Sequence, residues 1–358
     1  MQEIAVSAPK RAKKRTRVDS EASEEEHPPT RSPARNILKC SEEFWYEDGS
    51  VVLVAQDTAF RIYRGLLAQH SPVFRDLFTI PQPNTSESVD DCPVVRIPDD
   101  PDDVARLLRI FAATSTVSYF SNDQIPFADV AAIIRITHKY QMDQLLGRAL
   151  QNLKTVFKDT FPDFIRLDHF LAESSIELDC RDAITVVNLA HLTQNLSMLP
   201  MALYICCQLA PKDIIAGVDR NGRRERLSQD DIVRCIAGRL KLSQASVTAV
   251  FRVFQCSDEC MEQCKRVNGS TCRRALHAAL QKYGADFSAL CAGTMPLDTW
   301  ITDDRDYFDS FSIKFCSGCW KRLQETEQEE HRRIWCELPV YFGLEVEGWK
   351  EKNPVVPK

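Results

Sequence analysis

A change of hydrophobic period near the start of the folded sequence constrains the fold most strongly. Residues 51–54 form a β-branched run that predicts a buried strand, and the alternating Phe60 and Ile62 predict a second strand beyond a turn. Ser71 is a plausible cap for a helix that starts at Pro72. The apolar residues around it recur at spacings of three and four: Leu66, Leu67, Val73, Phe74, Leu77 and Phe78. The pattern predicts a β-hairpin followed by packed helices.

The hydrophobic pattern also predicts a third strand and three more helices. Residues 94–97 are mostly β-branched, and Pro98 stops the strand that they predict. The next segment carries apolar residues at helical spacing from Val104 onward. Residues 127–140 and 142–157 predict two further amphipathic helices. Residues 40–158 therefore predict an α+β unit.

Three segments of this unit resemble one known family. Residues 48–54 (DGSVVLV) and 60–78 (FRIYRGLLAQHSPVFRDLF) resemble the opening of a BTB/POZ domain. Residues 133–145 (IIRITHKYQMDQL) are similar to the second signature of that family, a helix that ends in a Lys-Tyr pair. Tyr63 stands where the family usually has a histidine, a departure that affects local hydrogen bonding and not the fold.

The resemblance implies a BTB domain over residues 40–158, with helices clustered on a small sheet and a role in protein–protein contact. Many members of the family form homodimers, and some bind a cullin-type ubiquitin-ligase scaffold. If the dimer is retained, Phe44, Trp45 and Tyr46, before the first predicted strand, and the first long helix would contribute to it. Local core packing is an equally weighted alternative for these three aromatic residues.

The rest of the chain predicts an all-α region over residues 159–358. Its apolar residues follow a helical period, and Ser228 precedes a helix with the spacing of a capping box. Residues 199–204 and 334–344 resemble the helical extension that follows the BTB domain in a large group of fungal proteins. This similarity is looser than that of the BTB segments and says little about ligands.

Residues 1–36 predict a disordered, charged tail. Residues 10–17 are a basic block, residues 21–26 are acidic, and prolines follow. The basic block predicts a nuclear localisation signal or a non-specific contact with nucleic acid, and a solvated tail is the simpler alternative. The chain as a whole has a formal net charge of −6, which disfavours binding to nucleic acid.

The fourteen cysteines allow two interpretations. No secretory signal or apolar span is evident, so we expect an intracellular protein, nuclear or cytoplasmic and without membrane contact, whose thiols are reduced. Two of the four earlier cysteines could bind zinc together with Cys316 and Cys319. The earlier four are Cys256, Cys260, Cys264 and Cys272, and Cys256 with Cys260 is one such pair. Alternatively, the cysteines fill core positions. Because the earlier pair lacks CxxC spacing, the sequence assigns no metal ligand and no cofactor.

No motif of a known catalytic site is complete. Gly217 and Gly222 have the spacing of a phosphate-binding loop, but Arg223 follows where that loop needs lysine. The histidines in helical segments are most simply structural: His138, His169 and His191. The sequence predicts a non-enzymatic, dimerising adaptor or scaffold. A substrate adaptor of a cullin-type ubiquitin ligase and a nuclear transcriptional co-regulator are the alternatives.

Overall fold

The computed structural model describes most of the chain in separate ranges: 3–5, 37–80, 87–112, 125–165, 176–220, 222–255, 264, 270–285, 294–298 and 313–354. Contacts divide the chain into two compact units. The first unit comprises Met1–Asp123 and Ala132–Leu150, and the second comprises Gln124–Ala131 and Gln151–Lys358. Within the described ranges, no helix has both the length and the apolar character needed to cross a membrane. The domain limits at residues 36, 40 and 158 stay predictions.

A six-stranded mixed sheet forms the centre of the first unit, in the order β1-β2-β4-β3-β6-β5. The predicted hairpin is confirmed, because β3 pairs antiparallel with β4, with Val51 opposite Ile62. The predicted third strand is also confirmed, as β6, which runs parallel to β3. The strands are β1 (Glu3–Ala5), β2 (Ile37–Trp45), β3 (Val51–Ala55), β4 (Thr58–Ile62), β5 (Ser88–Val89) and β6 (Cys92–Ile97).

Strand β2 was not predicted, and it corrects the interpretation of the aromatic segment. Phe44 and Trp45 do not precede the first strand of the domain but end a nine-residue strand that runs parallel to β4. The pairing shifts register between Cys40 and Trp45. β1 pairs antiparallel with the start of β2, and the remainder of the tail predicted to be disordered lies outside the described residues.

Helices α1 (Arg64–His70), α2 (Pro72–Thr79), α3 (Pro101–Ala112), α4 (Phe127–Lys139) and α5 (Asp143–Lys154) follow the predicted positions. Ser71 caps α2 as predicted, because its Oγ accepts a hydrogen bond from the Phe74 N–H at 3.0 Å. The same hydroxyl donates to the Tyr140 carbonyl oxygen at 2.6 Å. Ser71 is fully buried, so one side chain joins the start of α2 to the end of α4.

The Lys-Tyr pair of the second signature is anchored by one carboxylate. Asp99, just after β6, accepts hydrogen bonds from Lys139 Nζ at 2.7 Å and from Tyr140 Oη at 2.5 Å. The Tyr140 ring stacks on Phe74, with centroids 4.2 Å apart. Burial, together with Asp99, raises the pKa of Tyr140, so the phenol stays a hydrogen-bond donor. The pair therefore fixes α4 against the sheet end and α2.

The second unit is mainly helical, as predicted. Its helices are α6 (Phe161–Phe164), α7 (Ala183–Leu192), α8 (Leu199–Cys206), α9 (Pro211–Ala216), α10 (Gln229–Phe254), α11 (Ser270–Ala285), α12 (Ser317–Tyr341) and α13 (Trp349–Lys352). Its short strands are β7 (Ile125–Pro126), β8 (Ile176–Glu177), β9 (Val218–Arg220) and β10 (Arg223–Glu225). Ser228 caps α10 by accepting from the Asp231 N–H. Pro200 lies in the first turn of α8, where its missing N–H costs nothing.

An aromatic cluster around α12 forms one part of the core of this unit. Trp335 is fully buried and stacks on Phe164 and Trp349, with ring centroids 4.6 and 5.6 Å away. Asn353 accepts hydrogen bonds from Trp335 Nε1 and from the Phe161 N–H on the same Oδ1. A single buried amide therefore joins α6, α12 and the end of α13.

Candidate functional site

Helix α1 is largely accessible, because only Leu67 among its residues is fully buried. Tyr63 precedes the helix, with a relative exposure of 40%. Its hydroxyl donates to Asp48 Oδ1 at 2.6 Å, and its ring stacks on Tyr46 at 5.3 Å. We call the patch formed by Tyr46, Tyr63, Gly65 and Leu66 the α1 surface.

The Tyr63–Asp48 hydrogen bond fixes the orientation of the exposed ring. It raises the pKa of Tyr63, so the phenol remains protonated and continues to donate. The carboxylate comes from the turn between β2 and β3, and the tyrosine comes from the end of β4. Tyr63 thus forms its own hydrogen bond at the position that is usually histidine in the BTB family.

The three aromatic residues at the end of β2 have different environments. Phe44 is buried in the core, and Trp45 packs on the buried sheet residues from one side. Tyr46 is half-buried and contacts Tyr63. Core packing therefore accounts for Phe44, whereas Tyr46 remains accessible on the α1 surface.

Gly65 leaves the α1 surface open. A Cβ atom added there would meet no heavy atom within 4 Å, and the residue is exposed. A glycine inside a helix costs about 1 kcal/mol relative to alanine. Packing within the chain does not require this glycine.

A shallow cleft of 320 Å³ lies beside the end of α1. It is lined by Gln69, His70 and residues 141–145 of the turn into α5. The His70 ring stacks on Phe111, with centroids 5.0 Å apart. The cleft contains no cluster of nucleophilic or metal-binding side chains among its lining residues.

The glycines and histidines noted in the sequence lie at helix ends, in a turn or beside a carboxylate. Gly217 ends α9 at φ +77°, and a Cβ there would lie 2.2 Å from the Glu225 carbonyl oxygen. Gly222, at φ +75°, lies in the β9–β10 connection. His191 Nε2 lies 3.1 Å from Asp231, and His138 lies in the last turn of α4. His169 lies outside the described residues.

The structure brings four cysteines of the second unit together. The Sγ atoms of Cys264, Cys272, Cys316 and Cys319 lie within 4.8 Å of one another. Cys256 and Cys260, the other two cysteines considered, lie outside the described residues. The sequence had shown Cys264 and Cys272, but neither spacing nor sequence distance selects them from their neighbours. We call these four residues the thiol cluster.

The α1 surface belongs to a unit that consists of a mixed sheet and helices. Residues 46–156 match the model of the BTB/POZ domain family. The chain is therefore a BTB domain-containing protein, and this domain is a protein–protein interaction module. No curated protein matches the chain. Strand β2 and nearly all of the helical second unit lie outside the family match.

Proposed function

We propose that this protein is a non-enzymatic, dimerising adaptor or scaffold, and that two chains associate through the α1 surface. The observation that carries this proposal is the stacked Tyr46–Tyr63 pair, held by Asp48 with Tyr63 exposed. Tyrosine is enriched in protein interfaces because its ring gives apolar area and its hydroxyl finds a polar partner.

A symmetric pair of chains would use this patch twice. In a twofold interface the same surface meets itself, so the patch must be self-complementary. Gly65 lets another helix approach closely, and Leu66 is only half-buried within its own chain. Burial of these residues in a dimer would remove the remaining apolar surface from water.

Sedimentation velocity of the full chain tests the dimer with a matched pair of glycine variants. Gly65→Arg places a long charged side chain on the α1 surface. Gly147→Arg makes the same change in α5, where Gly147 is also exposed and also has no atom within 4 Å of an added Cβ. We expect Gly65→Arg to weaken dimerisation at least tenfold, whereas Gly147→Arg leaves it unchanged.

Circular dichroism of both variants controls for folding, because neither glycine needs a special backbone angle. A wild-type chain that sediments as a monomer at tens of micromolar would contradict the dimer. If both variants weakened dimerisation equally, the result would contradict the assignment of the interface to the α1 surface.

Recruitment of another protein is proposed for the helical second unit. Two chains would present two copies of this unit, so a partner with two binding sites would gain from effective concentration. Val233, Ile236 and Leu240 support such a contact, because they are exposed apolar residues on one side of α10. The double variant Ile236→Glu with Leu240→Glu should leave dimerisation unchanged, since all these side chains belong to the second unit.

In the alternative proposal, a substrate adaptor of a cullin-type ubiquitin ligase, the protein binds a cullin scaffold. Calorimetry of the full chain with the N-terminal domain of a cullin scaffold tests it directly. Micromolar or tighter binding would make the protein a ligase adaptor, and the α10 variant should not change that affinity. The absence of heat from a folded dimer would favour a scaffold or a nuclear co-regulator, and deletion of residues 10–17 would then test nuclear import.

A further inference from the structure

The thiol cluster has the dimensions of a tetrahedral metal site. Cys264 Sγ and Cys316 Sγ are 3.9 Å apart, and none of the four cysteines forms a disulfide. Zinc–sulfur bonds of 2.3 Å in a tetrahedron place the sulfur atoms about 3.8 Å apart. A disulfide instead requires about 2.05 Å. The observed spacing fits four ligands around one ion and not a pair of disulfides.

Helix α12 organises one half of the cluster. Cys316 is its N-cap residue, and Cys316 Sγ accepts a hydrogen bond from the Cys319 N–H at 3.5 Å. The Cys316 N–H donates to Cys272 Sγ at 3.4 Å. Backbone donors and the positive end of a helix both stabilise thiolates, which are the form that binds metal.

The thiol cluster lies against an apolar core, with Cys272 and Cys319 buried and Cys264 and Cys316 half-buried. Cys272 is fully buried on α11, and the cluster belongs to an apolar core that includes Phe254, Ile313 and Trp320. The four thiols of the cluster supply a complete ligand set for one tetrahedral ion.

We propose that Cys264, Cys272, Cys316 and Cys319 bind one zinc ion in a closed, structural site. Binding releases four thiol protons and leaves a complex with a net charge of −2. Thiolates select zinc or iron over calcium and magnesium, which prefer oxygen ligands. Four protein ligands leave no open position for a substrate, so the site stabilises structure and does not catalyse a reaction.

The ion would join three parts of the second unit. Cys272 comes from α11, Cys316 and Cys319 come from the start of α12, and Cys264 lies between α10 and α11. Cys272 and Cys316 are 44 positions apart in sequence, so the site closes a long loop. A cross-link of this kind stabilises the folded state in part by limiting the unfolded chain.

Elemental analysis of the full chain, purified in reducing buffer and dialysed against a weak chelator, tests the proposal. We expect about one zinc per chain for the wild type. Cys316→Ser should lower the zinc content well below one, although serine keeps the helix cap. Cys336→Ser is the matched control, because Cys336 is equally half-buried on the same helix but outside the cluster. It should retain the zinc.

X-ray absorption of the wild type provides a test that does not depend on a variant folding. The zinc edge should show four sulfur neighbours at about 2.3 Å. A folded wild type that is metal-free and binds no added Zn²⁺ would overturn the proposal. So would zinc with fewer than three sulfur neighbours, zinc retained in Cys316→Ser but lost from Cys336→Ser, or iron in place of zinc.

Discussion

At the scale of single residues, two neighbouring side chains that contact Asp99 should contribute unequally to the stability of the fold. Tyr140 and Lys139 both contact its carboxylate, but Tyr140 is buried and the Lys139 side chain is 43% exposed. A buried hydrogen bond to a charged acceptor stabilises a fold more than an exposed ion pair does, since water screens the latter.

Tyr140→Phe should therefore lower the free energy of unfolding by about 1–3 kcal/mol. Lys139→Met should lower it by under about 1 kcal/mol. Urea denaturation, followed by far-ultraviolet circular dichroism, measures both values. A larger loss for Lys139→Met than for Tyr140→Phe would show that the ion pair, and not the buried phenol, anchors the end of α4.

His331 gives the second unit a dependence on pH. Burial lowers the pKa of this histidine to about 4, so the folded state holds it neutral. The unfolded chain takes up a proton near pH 6.5, and the unfolded state therefore binds more protons between these two values. Stability contributed by the neutral His331 is complete above pH 6.5 and is lost as the pH falls toward 4.

We expect His331→Gln to flatten the decline in stability between pH 6.5 and 4, whatever its effect on stability at pH 7. Guanidinium titrations at several pH values in this range measure the slope, with His138→Gln on α4 as the histidine control. The same slope in His331→Gln and in the wild type would contradict the assignment.

At the scale of elements, α10 and the end of α12 meet too closely for any residue but glycine. A Cβ on Gly238 would lie 2.3 Å from the ring of Phe342, a residue that is only 2% exposed. Extra volume in a packed core forces side chains out of their preferred rotamers. The glycine of α10 is thus explained by packing, unlike Gly65 of α1.

The same substitution should have opposite effects at two helical glycines. Gly238→Ala should lower the free energy of unfolding by about 1–3 kcal/mol through overpacking. Gly284→Ala, on α11, should raise it by up to about 1 kcal/mol, because an added Cβ there meets no atom and alanine favours a helix. Thermal melts of the two variants decide this, and stabilisation by Gly238→Ala would refute the close contact.

A buried amide joins three elements of the second unit. Asn353 accepts from Phe161 and Trp335, and its Nδ2 donates to the Asp159 and Trp349 carbonyl oxygens. Asn353→Ala removes the acceptor of the Phe161 N–H and of Trp335 Nε1, so we expect a loss of about 2–4 kcal/mol. Lys352→Ala, which removes only an exposed ion pair to Asp159, should cost under about 1 kcal/mol. Similar losses for both variants, measured by chemical denaturation, would contradict this role.

The elements that could be predicted from sequence are those with strong local patterns. The β3–β4 hairpin was predicted because β3 is a β-branched run and Phe60 and Ile62 alternate in β4 after a turn. The Ser71 cap was predicted because serine precedes proline. Strand β2 was missed since polar residues 41–43 interrupt its apolar pattern, and β9 and β10 because they are short and charged. The thiol cluster could not be assigned, because no local pattern indicates which distant cysteines meet.

At the scale of the whole molecule, the proposed dimer and the proposed zinc site belong to different units. The α1 surface consists of residues from the first unit, whereas all four members of the thiol cluster lie in the second. The sequence that builds each site is also separate, since the family match ends before the first cluster cysteine. Loss of the metal should therefore affect the stability of the second unit without removing any residue from the dimer surface.

Removal of zinc from the full chain should lower the temperature of thermal unfolding by several degrees, because metal binding contributes to folding. At 20 °C the zinc-free protein should still sediment with the dimerisation constant of the wild type. Gly65→Arg should behave in the reverse way, with weaker dimerisation and unchanged zinc content. Dissociation of the dimer on zinc removal, with circular dichroism unchanged, would show that the ion acts on the interface, and it would require a different assignment of the dimer surface.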